Sequence, residues 1–136
     1  MKSEDLRIGN IVLYNTLLLE ISGINSPKPY KDARFNEKWI IELFDGASFI
    51  TTTLKEIKPV LITKEMILQY DGWQGYSWGN YWHRVESCGI RYISDSKKWR
   101  ITWNGDDIGE RVKYLHEFQN AFKSLTNKEL KLKKNE

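Results

Sequence analysis

The stretch KWIIELFDGASFITTTL, residues 38–54, constrains the fold more than any other part of the chain. Two runs rich in β-branched and aromatic residues flank Asp45-Gly46. That dipeptide accepts positive φ and favours a tight turn between paired strands. A hairpin here makes the first half of the chain a β structure, because the neighbouring apolar runs are equally short. RIGNIVLYN and TLLLEISGI are two such runs, broken near Asn15.

LKEIKPVLIT reads as one helical turn stopped by Pro59, followed by a short strand. Five short strands with one such turn predict a small SH3-like β-barrel over residues 1–62. Between its second and third strands lies NSPKPYKDARFNEK, residues 25–38. The segment is polar, holds two prolines and has no periodicity. Loops of this length are uncommon in compact domains and are either functional or disordered. Lys28, Tyr30, Lys31, Arg34 and Phe35 are the groups on it that suit partner binding, since rigid strands on both sides would hold them.

Residues 63–136 read differently. Thr63 caps a short helix in KEMILQYDG, which Gly72 ends. YWHRVES, GIRYISD and KWRITWNG follow as strands, with turns at Asp95-Ser96 and Asn104-Gly105. Trp99, Ile101 and Trp103 alternate with Arg100 and Thr102, so period two places them on one face. RVKYLHEFQNAFKSLTN is periodic at 3.6 and predicts an amphipathic helix over 111–125. Tyr114, Leu115, Phe118, Ala121, Phe122 and Leu125 share a third of its circumference; His116, Gln119 and Lys123 fall opposite. The fold class is therefore α+β, with this helix packed on an antiparallel sheet. KELKLKK adds a short edge strand, and the tail is Lys-rich.

DGWQGYSWGNYWHR, residues 71–84, holds five large aromatics. Trp73, Tyr76 and Trp78 are expected in the core, where large rings bury much area in a small protein. Trp82 is the exception. Alternation puts Tyr81, His83 and Val85 on one face and Trp82, Arg84 and Glu86 on the other. With the first set toward the helix, the outer face gathers Trp82, Arg84, Arg91, Lys98 and Arg100 as exposed neighbours. An indole among cations suits base stacking with phosphate contact, or an interface anchor. It equally suits plain structure, with Arg and Lys stems covering apolar surface.

The chain carries 21 Lys and Arg against 18 Asp and Glu. A net +3 is too small to argue for nucleic acid by itself. Much of the excess sits in the last nine residues, with four lysines against two glutamates, and such a tail is a solvated end. Cys88 is the single cysteine, so no internal disulfide forms, which fits a reducing cytoplasm. No apolar run approaches a signal sequence or a membrane span. Cytoplasmic localisation is the expectation.

Candidate chemistry is sparse. His83, His116 and Cys88 are the only soft ligands or bases, with no paired spacing for a structural zinc. A Cys88–His116–Asn120 triad fails because His116 and Asn120 fall on the solvent side of the helix and nothing lowers the thiol pKa. Asp106 and Asp107 precede the helix, where capping and the dipole already favour acids. GWQGYSWG lacks the strand–turn–helix context of a phosphate loop. No catalytic residue, metal site or small-molecule cofactor is expected.

VKYLHEFQNAFKSLTNKEL resembles the C-terminal signature of an uncharacterised family of small bacterial and phage proteins, close to KY-hydrophobe-H-x-hydrophobe-QN followed by T-x-x-EL. LRIGNIVLY and EIKPVLITKEMI resemble the same family. The resemblance implies the two-part architecture and a phage or mobile-element setting, and no activity. Together these features point to a non-catalytic module that docks on a host protein or protein–nucleic-acid complex, most concretely an inhibitor of a host defence nuclease. The alternative is an accessory protein binding RNA or single-stranded DNA directly through the barrel loop and the basic sheet face. No membrane partner is expected.

Overall fold

The computed structural model describes residues 1–76 and 79–133. The chain forms two compact units, Met1–Val60 and the residues from Leu61 onward. The division falls ahead of the expected residue 62 because Leu61 bridges Tyr114 and the Ile62 N–H donates to the Lys113 carbonyl (3.1 Å).

The first unit is an antiparallel sheet of β1 (Ile11–Tyr14), β2 (Leu17–Asn25), β3 (Ile40–Phe44), β4 (Phe49–Thr53) and β5 (Ile57–Lys58), in the order β4-β3-β2-β1-β5. One of the chain's two sheets curls as a half-barrel. A β-bulge between Ile21 and Gly23 lets the long β2 bend. Asn15 adopts φ 54° in the two-residue turn joining Tyr14 to Leu17. Val12, Leu19, Ile21, Ile41, Leu43 and Ile57 fill the core with Leu6.

The hairpin at Asp45-Gly46 forms, but its loop has four residues, since Phe44 pairs with Phe49. Asp45 Oδ1 accepts from the Ala47 and Ser48 N–H groups (2.8 and 2.7 Å), which folds the wider loop. A single 3-10 turn, Leu54–Glu56, precedes β5, so the short strand lies ahead of Pro59 and not after it as expected.

The second unit opens with α1 (Lys64–Gln69), capped as expected by Thr63 Oγ1, which accepts from the Met66 N–H (3.2 Å). Then come β6 (Trp73–Gly75), β7 (Asn80–His83), β8 (Cys88–Ile93), β9 (Lys98–Trp103) and β10 (Asp106–Val112), each paired with the next in one antiparallel sheet. The last helix, α2, spans Leu115–Thr126. The expected edge strand in KELKLKK is reduced to a bridge between Leu132 and Tyr70.

Two expectations are corrected here. The helix does not begin at 111. Asn104 and Gly105 both take positive φ (52° and 85°) in a two-residue turn, and the chain returns along β9 as β10. Only after Val112 pairs with Trp99 does the helix start. The Glu117 carboxylate then reaches back to the Tyr114 and Lys113 N–H groups (2.9 and 3.0 Å), covering donors that the first turn leaves open. The helix faces also differ. Phe118 and Phe122 are buried as expected, but His116 and Gln119 are 3% exposed and not on the solvent side. A helical wheel weighs hydropathy alone, and a polar side chain is buried wherever partners satisfy it. The His116 ring stacks on Tyr114 (5.9 Å between centroids, 9° between planes).

Trp73 joins the helix to the sheet. It is 1% exposed, and its ring meets Phe118 at 5.1 Å and Phe122 at 5.9 Å. Of the other two aromatics expected in the core, Tyr76 is 59% exposed and Trp78 lies outside the described residues. Tyr76 follows the end of β6, where the sheet no longer covers it.

Replacing Phe118 by Ala should cost about 3–5 kcal/mol in urea unfolding, the range for emptying a buried aromatic site. His116→Ala should also destabilise, by about 1–3 kcal/mol, since it strips a buried polar group from its partners. A neutral His116→Ala would contradict the observed helix face.

His83 adds a pH dependence. Its Nδ1 accepts from the Glu86 and Val85 N–H groups (2.9 and 3.2 Å), so the ring is held neutral at that atom. Burial pushes its pKa below 6.5, while the nearby Glu86 and Asp71 pull the other way. With the folded pKa depressed, the stabilisation is complete above pH 6.5 and is lost as pH falls through the folded value. The urea midpoint should therefore drop between pH 7.5 and 5 in the native chain, and drop less in His83→Asn.

Candidate functional site

Antiparallel register decides what the outer face of the second sheet presents. Gln74, Trp82, Gly89, Thr102 and Asp107 form one row across β6–β10, and Asn80, Arg91 and Arg100 form the next row of the same face. Tyr81, Ile90, Ile101 and Ile108 form the row between them on the opposite, core face. The assignment of Trp82 to the face away from Trp99 and Ile101 thus stands on the pairing itself.

Gly89 explains how Trp82 lies there. A Cβ built on Gly89 would meet Thr102 Oγ1 at 2.6 Å and Trp82 Cε3 at 3.0 Å. The indole therefore lies across the backbone of β8 with its edge over the glycine, a seat that any larger residue would block. Trp82 is half-buried as a result, one side on the sheet and the other open.

Beside it, Arg91 and Arg100 stand directly opposite one another on β8 and β9. Both reach Asp107 on β10: Arg91 Nη2 lies 3.2 Å and Arg100 Nε 3.6 Å from its Oδ2. One carboxylate thus serves two guanidinium groups. The three side chains are partly exposed, so water screens these contacts and each contributes at most about 1 kcal/mol to stability. Asn80, Trp82, Arg91, Thr102 and Asp107 line an open groove of about 500 Å³. Sequence reading missed Asp107 because it placed that residue before a helix; the Asn104-Gly105 turn was the available signal that a strand follows.

Lys98, paired with Ile93, is exposed on the same face, one row further along. Arg84 does not join the cluster. It follows the end of β7, where its N–H donates to the Gly72 carbonyl (2.6 Å), and Trp82 separates it along the strand from Asn80, Arg91 and Arg100. The expected neighbourhood of Trp82, Arg84, Arg91, Lys98 and Arg100 therefore loses Arg84. Glu86, placed on the same face by alternation, pairs instead with Lys128 (2.6 Å).

The loop between β2 and β3 is folded on itself. The Glu37 N–H donates to the Lys28 carbonyl (2.8 Å), closing its neck, and Asn36 Oδ1 accepts from the Tyr30 N–H (2.9 Å). Arg34 is bound to Asp32 (2.7 Å) and lies over the Phe35 ring (5.2 Å). Hydrogen bonds from Arg34 hold the Asp32 pKa down at about 2. Lys28, Tyr30 and Lys31 are exposed.

Cys88 is buried among the core residues of the second sheet. Burial, with Glu86 adding to it, pushes its pKa up to about 12, so the thiol stays protonated. Among the described residues no cluster of three or more His, Cys, Asp or Glu is placed to hold a metal ion, and no helix is long and apolar enough to cross a membrane. No protein-family model, curated protein or solved structure matches the chain.

Gly89→Ala should cost about 1–3 kcal/mol in urea unfolding, because the indole must lift off the sheet. In a Trp82→Ala background the same change should cost less, and the difference measures the coupling. Equal costs in both backgrounds would mean that the glycine serves something other than the indole.

Proposed function

We propose that this chain is a non-catalytic binding module that docks through the outer face of its second sheet. The observation that carries this reading is the half-open indole of Trp82, seated on Gly89, beside the paired guanidinium groups of Arg91 and Arg100. Trp and Arg are the residues that most often anchor interfaces, and rigid placement lowers the entropy lost on binding. The protonated, buried Cys88 supports a role without a thiol nucleophile.

Asp107 favours a protein partner. It already neutralises part of the arginine pair, and a folded partner offering one carboxylate and an apolar contact can share that arrangement. The resemblance of the helix and N-terminal motifs to small phage and bacterial proteins supports a host protein or protein–nucleic-acid complex as the target, with an inhibitor of a host defence nuclease as the most concrete case. The strand order β4-β3-β2-β1-β5, with a 3-10 turn before the last strand, supports reading the first unit as an SH3-like barrel. A cytoplasmic site of action belongs to the same reading. Direct binding of RNA or single-stranded DNA is the second reading, favoured by Lys98 joining the arginines on the indole's face.

The test uses the full chain immobilised in a bacterial lysate, with and without nuclease, beside Trp82→Ala and Arg91→Glu. A protein retained despite nuclease and weakened at least tenfold by Arg91→Glu is the expected result; Trp82→Ala should cost about 2 kcal/mol of binding or more. Release by nuclease would move the function to the second reading. Retention unchanged on both variants would remove the face from the function.

A further inference from the structure

A second groove, of about 520 Å³, lies within the first unit, on residues the sheet-face reading does not use. Trp39, Leu54, Ile57 and Pro59 give it an apolar floor. Lys38, Lys55 and Lys58 stand exposed along its rim, with Glu37 the one acid among the lining residues. None of these three lysines makes an ion pair among the described residues. The floor is preformed: the Leu54 N–H donates to the Trp39 carbonyl (3.1 Å), which ties the start of β3 to the 3-10 turn.

The groove also meets an open sheet edge. β4 ends the strand order, so among the described residues one of its sides has no neighbouring strand. The hydrogen-bonded pairs of the hairpin are fixed by Asp45 with Ser48 at one end and Trp39 with Leu54 at the other. Alternation between them turns the backbone groups of Phe49, Thr51 and Thr53 outward. Thr53 lines the groove. The segment FITTT carries neither the charge nor the proline that usually blunts such an edge.

We propose that this groove binds an extended acidic peptide segment, which lays an apolar side chain on Trp39 and Pro59 and its carboxylates against Lys38, Lys55 and Lys58. Charge complementarity sets the sign of the ligand, the apolar floor requires a side chain to fill it, and the edge of β4 offers main-chain hydrogen bonds to an extended backbone. A polynucleotide fits less well, because the floor holds a single half-buried aromatic ring in place of a plane for successive bases.

A random dodecamer library displayed on phage, panned against the immobilised full chain, tests this directly. The comparison variant is Lys55→Glu with Lys58→Glu; both side chains are exposed, so the fold is retained and circular dichroism checks it. Recovered peptides should be rich in Asp and Glu around an apolar residue, and their affinity should fall at least tenfold on the double variant. Trp39→Ala, where it folds, should weaken them as well. The proposal is overturned if no peptide is recovered, if the recovered peptides lack acidic residues, or if the double variant binds them equally. It is also overturned if an oligo(dT) probe competes with the peptides and shows the same dependence on Lys55 and Lys58. Arg91→Glu should leave the recovered peptides bound, so failure here and failure of the sheet-face reading are separate results.

Discussion

Trp73 sits where the second unit's helix meets its sheet, and much of that unit is arranged around it. The ring contacts Phe118 and Phe122 on α2 and, edge-on at 5.6 Å, His83 on the neighbouring strand. His83 in turn packs on Phe122 (5.5 Å). A helix offers a narrow apolar stripe, so a wide indole beneath it multiplies the area buried per residue. The short β6 can be an edge strand of three residues because its first residue is fixed from above by the helix and from the side by β7.

The same sheet puts its two faces to different uses. Below, isoleucines and aromatic rings close the core; above, a glycine is spent on seating one tryptophan. Nothing in the core requires Trp82 to lie on Gly89, since Tyr81, Ile90 and Ile101 make the contacts of the buried side. The indole therefore belongs to the surface in its chemistry and to the sheet in its geometry. The arginine pair follows a similar logic. Two like charges on adjoining strands repel unless an acid reaches both, and the position of Asp107 on the next strand supplies it.

Sequence patterns carried most of the strands and their turns because turn chemistry is local: Asn15, Asp45-Gly46, Asp95-Ser96 and Asn104-Gly105 all fall at reversals. They carried the outer face too, because period two needs only one correctly placed buried residue. They did not carry β6, read only as part of an aromatic stretch, or β10. DDIGERV contains Gly109 at φ 65° and a register shift, which breaks the alternation that marks a strand. The loss of β10 then hid Asp107 and lengthened the helix at its start. Burial of His116 and Gln119 was invisible for another reason, since hydropathy does not register whether a polar group has partners. The groove around Trp39 joins the end of a loop to a turn distant in sequence, and no pattern along the chain brings those residues together.

The strand orders of the two units carry a kinetic meaning as well. In the second sheet every strand lies beside its successor in the chain, so it can assemble hairpin by hairpin, each closure joining segments a few residues apart. The first sheet has no such route to completion. Its β5 must come back to β1, bringing Ile57 to Tyr14 across three intervening strands and the long loop. That pairing fixes two residues against a large loss of chain entropy, and it rewards the chain only after the core of Val12, Ile21 and Leu43 has begun to close. The unit with the simpler order is thus built to fold early, and the short strand that finishes the other is the slow step of the pair.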